Sequence, residues 1–410
     1  MKNNPVRHFS SLPVYAGLIS LLLIITSTPS HAKLDARFAN SALAMSPDGT
    51  TLAYPVPVYN TAGQPTTEIW MYSLATSAKK RVGYVAGFWD AAWYDTNHPT
   101  AMRWDKTNLY VFPLEGTKLT TLSLGVRFSW AQPAISPDSN WVAFPAFKKD
   151  ATTPAKTPGV FALDVRTNKV KTLSDDTVLS WVDWSPDSKQ IVYGCNKDKE
   201  PYKLKIVNLA DGKVTNLGLE GTGARWSPDG KWIAYTGNSV KKENWQIGIP
   251  LDGSILKVDP LTKKTTALTD PGVNKLDNST IERNTSGDIC PVWSPDGKKI
   301  AYRHIHQVLI GKTVTHSDDQ LWVMDSDGTN KHLVTAKWSP YAWSKDSKSL
   351  YLKEETNISR IDLATSKTTT IASWPEPKIV PAATTQQPAK RTPARPAANP
   401  RARARRTLFP

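Results

Sequence analysis

The most regular feature of the chain is a recurring unit: an apolar residue, a tight polar turn and a strand with alternating apolar side chains. Ile300 and Tyr302, for example, alternate with Lys299 and Ala301, as in a half-buried strand. Six copies of the turn share Ser and Asp two positions apart: Ser46–Gly49, Ser136–Ser139, Ser185–Ser188, Ser227–Gly230, Ser294–Gly297 and the weaker Ser344–Ser347. A degenerate copy lies at Trp93-Tyr94-Asp95. The recurrence predicts an all-β repeat protein.

The spacing of the copies is that of propeller blades. With Tyr94 in place of the missing Ser, successive copies are 42 to 67 residues apart, close to the length of a four-stranded blade. We predict a seven-bladed β-propeller from about residue 39 to 373, or six blades if residues 87–125 form none. The first and last blades have enough chain for four strands each, so ring closure is expected to depend on packing.

The chemistry of the turn indicates a structural role. Pro fits the second position of a type I turn, Asp accepts local backbone N–H groups, and Gly tolerates the left-handed conformation that closes a hairpin. The fourth strand of each blade is rich in Lys and Thr, which suit an exposed outer edge.

These six turns resemble the WD40-like (PD40) repeats of TolB-like β-propellers. The resemblance implies that residues 33–375 form such a propeller and that the protein binds or scaffolds other molecules of the cell envelope without catalysis. The same repeat class forms the propeller of prolyl-oligopeptidase-like enzymes, which add a hydrolase domain with a Gly-x-Ser-x-Gly motif. This sequence contains no such motif.

The two ends of the sequence differ in composition from the repeats. Residues 1–32 combine Lys2 and Arg7 with a 12-residue apolar run and a small-residue exit at Ala32, which predicts a signal peptide and a periplasmic or secreted protein. The apolar run is shorter than the roughly 20 residues of a membrane span. Residues 376–410 are rich in Pro, Ala and Arg and predict a disordered tail.

The net charge of +15 alone would suggest a nucleic-acid-binding protein, but the distribution of the charge argues against one. Of the net charge of +15, residues 377–410 contribute +8 and residues 1–32 contribute +2, which leaves +5 for the rest. No aromatic residues interleave with the arginines of the tail to stack bases, so we expect no nucleic acid. The expected partner is an envelope protein or an anionic polymer, bound by a monomer. Two cysteines, Cys195 and Cys290, permit at most one disulfide.

Candidate site residues fall into two groups. The long connections between second and third strands, such as 303–319, and the connection 271–288 gather on one face of the predicted ring, which favours binding there. In the sixth repeat His304 and His306 share one side of a strand near His316, Asp318 and Asp319, a spacing that suits a metal, although no third ligand position is defined. The second group lies near the inner strands: Trp130, Trp181, Asp183, Arg225, Glu282, Arg283 and Asp288.

Two functions stay open at this stage. We expect a non-catalytic binding protein without metal or cofactor, in which most tryptophans pack between blades and Asp183 and Arg225 form a structural ion pair. The alternative is an extracytoplasmic propeller enzyme, a polysaccharide lyase or hydrolase. Oligogalacturonate lyases, which have similar repeats and a His-bound metal, supply that alternative through His304, His306 and His316.

Overall fold

The computed structural model describes residues 43–59, 65–86, 90–93, 99–102, 108–111, 120–123, 126–128, 133–148, 157–178, 181–195, 202–237, 245–246, 249–250, 253–270, 282–310 and 313–374. All of them belong to the second of two compact units, Asp35–Pro410. The predicted signal peptide and tail lie outside the described residues. Every regular element within the described part is a β-strand. No helix in it is long and apolar enough to cross a bilayer.

The strands form consecutive four-stranded sheets, numbered here as blades in chain order. Blade 1 contains β1 (Ala44–Met45), β2 (Thr51–Tyr59), β3 (Pro65–Ser73) and β4 (Lys79–Ala86). Blade 2 contains β5 (Asp90–Trp93), β6 (Pro99–Met102), β7 (Asn108–Val111) and β8 (Thr120–Ser123). Blade 3 contains β10 (Ala134–Ile135), β11 (Trp141–Lys148), β12 (Thr157–Asp164) and β13 (Lys169–Ser174), and β9 (Val126–Phe128) also pairs with β11.

The later blades follow the same plan. Blade 4 contains β14 (Val182–Trp184), β15 (Gln190–Cys195), β16 (Lys203–Asn208) and β17 (Val214–Glu220). Blade 5 contains β18 (Thr222–Trp226), β19 (Ile233–Gly237), β22 (Ser254–Val258) and β23 (Thr265–Ala267), with a small hairpin of β20 (Trp245–Gln246) and β21 (Ile249–Pro250) between. Blade 6 contains β24 (Glu282–Trp293), β25 (Lys299–Ile310), β26 (Thr313–Asp325) and β27 (His332–Thr335). Blade 7 contains β28 (Tyr341–Trp343), β29 (Ser349–Lys353), β30 (Asn357–Asp362) and β31 (Thr368–Ser373).

The prediction of an all-β propeller is confirmed. In six blades the repeated turn joins the first and second strands, and β5–β8 form a separate four-stranded sheet between the first two of these blades. The described residues thus contain seven such sheets, of which the third has β9 as an additional strand. Neighbouring strands in each sheet are antiparallel. The prediction that Tyr94 and Asp95 form the turn of blade 2 falls on residues outside the described part.

Each repeated turn is closed by its own Ser and Asp side chains. In blade 6, Ser294 Oγ donates to Asp296 Oδ1 over 2.7 Å and accepts the N–H of Lys299 at 2.9 Å. Asp296 Oδ1 also accepts the N–H of Lys298 at 3.0 Å. The fourth turn position has φ between 58° and 72° whether it is Gly or Ser, as at Gly297 and Ser347. Ser therefore adopts the left-handed conformation at this position as Gly does, and Gly is not required there.

Buried side chains join each of the later blades to the next. Trp184 and Ile191 of blade 4 lie in one cluster with Ala143 and Val160 of blade 3. A further cluster joins the last blade to the first: Tyr351 and Ile358 pack with Leu52 and Tyr54. No strand of blade 1 pairs with a strand of blade 7 within the described residues. The ring is thus closed by side-chain packing between two complete sheets, as the sequence predicted.

The connections of blade 6 differ from their prediction. The segment 303–319, expected as a long loop, is mostly strand: β25 continues to Ile310 and β26 begins at Thr313. The connection expected over 271–288 ends earlier, because β24 begins at Glu282. Backbone pairing of β24 with β25, and of β25 with β26, extends the sheet into both regions taken as loop.

Candidate binding surface on blade 6 and the inner strands

Blade 6 carries an extension that follows from the length of its first three strands. Strands β24, β25 and β26 contain 12, 12 and 13 residues, whereas β14, β15 and β16 of blade 4 contain 3, 6 and 6. The added residues lie at the end of the sheet opposite the Ser294–Gly297 turn, because β24 starts and β25 ends there. We call this part, residues 282–288, 303–310 and 313–320, the blade 6 extension.

The register places most of the predicted polar cluster on one face of the extension. Asp288 lies opposite His304, and His306 lies opposite Asp318. Side chains two apart on a strand share a face, so Asp288, His304, His306 and Asp318 project to the same side. His316 joins them through its contact with Asp318. The structure therefore brings together the three histidines that the sequence singled out.

Asp288 holds His304 in a fixed orientation. The His304 Nδ1 atom lies 2.7 Å from Asp288 Oδ1, and the Asp288 side chain is only 7% exposed. The backbone N–H of Asp288 donates to Gly253 O over 2.8 Å, which fixes the strand that carries it. The ring of Trp322 lies 5.9 Å from that of His304. Asp288 can accept the Nδ1–H of His304, which leaves the lone pair of a neutral ring on Nε2.

The other two histidines share one carboxylate. His316 Nε2 lies 3.1 Å from Asp318 Oδ2, and His306 Nδ1 lies 3.9 Å from the same oxygen. These side chains are more exposed than Asp288: His316 is 59% and Asp318 49% exposed. They form a polar, solvent-facing patch beside the more buried Asp288–His304 pair.

The opposite face of the extension holds an ion pair that packs against blade 7. Arg303 donates to both carboxylate oxygens of Asp319, with Nε 2.5 Å from Oδ1. The Arg303 guanidinium also lies 5.4 Å from the ring centre of Trp338, which in turn makes an edge contact with Tyr341. Strand alternation puts Arg303 on the side away from His304, and sequence reasoning concentrated on the histidine side.

A second ion pair lies between the inner strands of blades 4 and 5. Arg225 Nη1 is 3.6 Å from Asp183 Oδ1 and donates to Val182 O over 3.2 Å. Asp183 Oδ2 accepts the N–H of Trp226 at 2.8 Å. The Asp183 side chain is 26% exposed, yet protein surrounds its carboxyl group, and this burial raises its pKa. The Arg225 guanidinium and the Trp226 N–H lower the pKa but do not cancel the rise. Asp183 and Arg225 thus form the ion pair that the sequence predicted.

Cys290 lies within electrostatic range of both ion pairs. Burial raises the pKa of its thiol to about 11, although Arg303 and Arg225 both oppose the rise. Cys195 of blade 4 is also buried, its pKa is likewise raised to about 11, and neither cysteine forms a disulfide. Since a thiolate is the reactive form, both thiols are in settings that suppress nucleophilic chemistry.

The remaining predicted residues are less informative. Trp181 lies beside Gly223 of blade 5. Glu282 and Arg283 belong to β24, but their side chains are outside the described part, and so is all of Trp130. The predicted residues thus divide between the blade 6 extension and the Asp183–Arg225 pair. Sequence reasoning missed Trp338 and Tyr341, and it missed Arg303, which strand alternation along β25 could have indicated.

Comparisons with known proteins bear on the fold. No family model matches the sequence, and no curated protein matches it. A puromycin hydrolase structure aligns with 82% of this chain and with 54% of its own length. The sequence identity is 17% and the TM-score is 0.54. An oligogalacturonate lyase in complex with manganese is similar over 78% of this chain and 85% of its own, at 12% identity and a TM-score of 0.50. A putative TolB from Agrobacterium tumefaciens aligns to 69% of this chain and 95% of its own, at 19% identity and a TM-score of 0.45.

The likenesses to the hydrolase and the lyase bear on the fold alone. Two TolB structures are also among those that match, at TM-scores of 0.45 and 0.43, so the TolB-like prediction rests on the repeated turns. The chain spans only about half the length of the hydrolase. A likeness with less than 20% sequence identity supports a shared fold and no shared activity. The PD40 repeat name stays a prediction.

Proposed function

We propose that the protein is an exported, non-catalytic β-propeller of the cell envelope that binds a protein or polymer ligand on the face bearing the blade 6 extension. The observation that carries the proposal is the extension itself, which lengthens one sheet beyond its neighbours at a single end. Functional groups on a rigid scaffold commonly reside on such variable additions. The TolB neighbours support an envelope role by analogy of fold only.

The polar groups on the extension suit binding more than bond-breaking chemistry. His306, His316 and Asp318 form a half-exposed patch that can donate and accept hydrogen bonds across an interface. Arg303 and Trp338 are engaged with each other and with Asp319, so they hold the extension against blade 7. The extension is therefore a preorganised surface, which reduces the entropy lost on binding.

The basic tail has a secondary place in the proposal. Its eight positive charges and lack of acidic residues would speed association with an anionic partner, and this contribution would be screened by salt. Removal of residues 377–410 should then weaken binding mainly at low ionic strength. The signal peptide, periplasmic or secreted location and monomeric state remain parts of the same proposal.

The test is a binding experiment with a shortened extension. Replacing residues 308–316 by Asn-Gly keeps the pairing of Gln307 with Ser317 and closes the hairpin with a two-residue turn. We expect immobilised wild-type protein to retain a specific ligand from envelope extract and the shortened variant to lose it at every salt concentration. A Thr266→Ser variant, altered on an exposed outer strand, should retain the ligand. Retention by the shortened variant would contradict the proposal.

The Asp288–His304 pair favours a second candidate, an extracytoplasmic lyase or hydrolase. A carboxylate that orients an imidazole and leaves its second nitrogen open is the arrangement of a general base. The lyase neighbour binds manganese, but the donors here do not match a metal site. Among the described residues no three His, Cys, Asp or Glu side chains are arranged to hold a metal ion.

This candidate has its own test. Release of unsaturated products from oligogalacturonate, or of sugars from other polysaccharides, would be followed for wild type and for His304→Ala. The enzyme hypothesis expects turnover that falls at least about a hundredfold in the variant. Absence of turnover, together with ligand capture by the extension, would leave the binding proposal standing alone.

A further inference from the structure

A groove of about 440 Å³ lies between blades 4 and 5 on the face of the repeated turns, at the opposite end of the sheets from the blade 6 extension. The inner part of its wall is formed by the two turns, with Pro186 and Asp187 on one side and Asp229 and Gly230 on the other. Its outer part includes Leu261. This volume is within the roughly 300–1,000 Å³ of small-molecule sites.

The groove lies where one element of the repeat is missing. Between blades 3 and 4, Ser188 Oγ accepts the N–H of Asp138 over 3.1 Å and ties the two turns together. Ser347 Oγ accepts the N–H of Asp296 in the same way at 3.0 Å. The corresponding position is Gly230 between blades 4 and 5 and Gly297 between blades 5 and 6, and neither has a hydroxyl. The nearest atom to a Cβ added at Gly230 would be Pro186 Cδ, at 3.7 Å.

A second repeated bond is also absent at this place. In blades 4, 6 and 7 the tryptophan before the turn donates its indole N–H to the preceding blade: Trp184 to Ala134 O at 2.8 Å, Trp293 to Arg225 O at 3.1 Å and Trp343 to Val292 O at 3.3 Å. Trp226 is the equivalent residue in blade 5 and forms part of the groove wall. Its indole N–H is buried and has no acceptor in the described structure.

The carboxylates of Asp187 and Asp229, in the groove wall, each have an oxygen that can accept a further hydrogen bond. Ser185 Oγ and the Lys189 N–H both donate to Asp187 Oδ1, whereas Asp187 Oδ2 lies 4.0 Å from the Lys189 ammonium. Asp229 repeats this arrangement, with the Lys231 ammonium 3.9 Å from Oδ2. Each carboxylate is accompanied by one lysine, so the rim has no net charge that would select an ion.

Apolar contact is available at the outer end. Leu261 is 90% exposed, yet its backbone is fixed, because its N–H donates to Asp259 Oδ1 over 2.8 Å. Lys263 Nζ binds Asn216 O of blade 4 at 3.0 Å and holds this turn beside the groove. A ligand in the groove would therefore meet an ordered apolar surface.

We infer that this groove is a second binding site, independent of the blade 6 extension, and that it takes a neutral saccharide. A sugar hydroxyl donates as well as accepts, so it can donate to the free carboxylate oxygens of Asp187 and Asp229. The C–H faces of a sugar ring can rest on Leu261 and the prolines. A basic peptide would supply donors for the carboxylates but would meet the nearby Lys189 and Lys231.

The test measures binding of chitotriose, maltotriose and cellotriose to the purified protein by calorimetry. We expect at least one to bind with Kd below about 1 mM. Asp187→Asn keeps an acceptor at Oδ1 and replaces Oδ2 by a donor, and should weaken binding at least about tenfold. Gly230→Ser places a hydroxyl where Ser188 and Ser347 tie their turns, and should weaken it similarly.

Two variants are matched controls. Asp296→Asn and Gly297→Ser make the same changes at the corresponding turn of blade 6, and both should bind as wild type does. Thermal melting would establish that each variant is folded, and Asp187→Asn provides the result if Gly230→Ser does not fold. Absence of binding of all three sugars up to about 10 mM would overturn the inference. So would binding that neither groove variant weakens, or saturable binding of an Arg-Pro peptide in place of the sugars.

Discussion

At the scale of single residues, the serine of the repeated turn has two roles that the sequence only partly predicted. The role of Asp as an acceptor of local N–H groups followed from turn chemistry and is confirmed by the structure. The serine, however, both donates to that Asp and accepts the N–H five residues later, as Ser294 does from Lys299. It is buried in every blade that carries the turn, which turn propensities do not indicate.

Substitution of this serine should destabilise the protein. Ser294→Ala removes the partner of Asp296 and leaves the Lys299 N–H without its side-chain acceptor at a fully buried position. We expect a loss of about 1–3 kcal/mol in the free energy of unfolding, measured with urea. Thr266→Ala on the exposed strand β23 should change it by less than about 0.5 kcal/mol. Equal stability of both variants would contradict the assigned role.

The turn aspartates should make the protein sensitive to acid. In Asp187 and Asp346 the hydrogen bond from the preceding Ser is the largest cause that lowers the pKa. In Asp48, Asp138, Asp229 and Asp296 burial raises the pKa, but the hydrogen bonds together outweigh it. An Asp whose pKa is lower in the folded state than the ordinary value of about 3.9 stabilises the fold above that value. This stabilisation is lost as the pH falls through the folded pKa.

Unfolding free energies at pH 5 and pH 3 provide the measurement. Wild type should lose stability over this interval, and Asp296→Asn should lose less, because the amide keeps an acceptor oxygen but does not titrate. Asp175→Asn, changed at an exposed site, should follow wild type. A loss in Asp296→Asn as large as that of wild type would exclude this turn as a source of the acid sensitivity.

At the scale of elements, the positions of the strands were easier to predict than their lengths. The repeat gave the position of each second strand, because turn and apolar alternation are adjacent in sequence. It did not give the blade 6 extension, since pairing of β24 with β25 beyond the blade depends on partners separated along the chain. The Lys- and Thr-rich outer strands were predicted as exposed, and the residues of β23 are all exposed.

The polarity of an outer strand should matter for solubility more than for stability. Thr368 and Thr370 are exposed on β31, the outer strand of blade 7, whose free edge can pair with another chain. The double change Thr368→Val and Thr370→Val should leave the urea midpoint nearly unchanged but increase light scattering on storage at high concentration. The double Ser variant at the same positions should stay clear. Equal scattering of the two variants would mean that edge polarity does not limit association.

At the scale of the whole molecule, the contact between blade 7 and blade 1 completes the ring. Trp374 stacks on Tyr54 with 5.3 Å between ring centres, and the Lys353 ammonium lies 5.9 Å from the Trp374 ring. Lys345 Nζ donates to Asp48 O over 3.0 Å between the two turns. The sequence predicted closure by packing from the chain available to each terminal blade. It did not predict Trp374, which follows the last strand and belongs to no repeat.

Removal of this indole should weaken the closed ring. Trp374→Ala deletes a partly buried aromatic side chain from the cluster between blades 7 and 1, so we expect about 2–3 kcal/mol of destabilisation in urea unfolding. Tyr84→Ala, which removes a 65% exposed ring from the outer strand of blade 1, should cost less than about 1 kcal/mol. Similar losses in both variants would mean that the blade 7–blade 1 contact contributes no special stability.

The completeness of the two sheets at this contact has a consequence for dynamics. Where a propeller shares one sheet between its chain ends, the ring opens only if ladder hydrogen bonds break. Here the first and last sheets can separate with their ladders intact, at the cost of side-chain packing and of the hydrogen bonds from Lys345 to Asp48 O and from Lys79 to Ser373 O. Brief separations of this kind would leave the amide protons within β2 and β29 protected from solvent exchange, while the indole proton of Trp374 would exchange faster than those of Trp184 and Trp293.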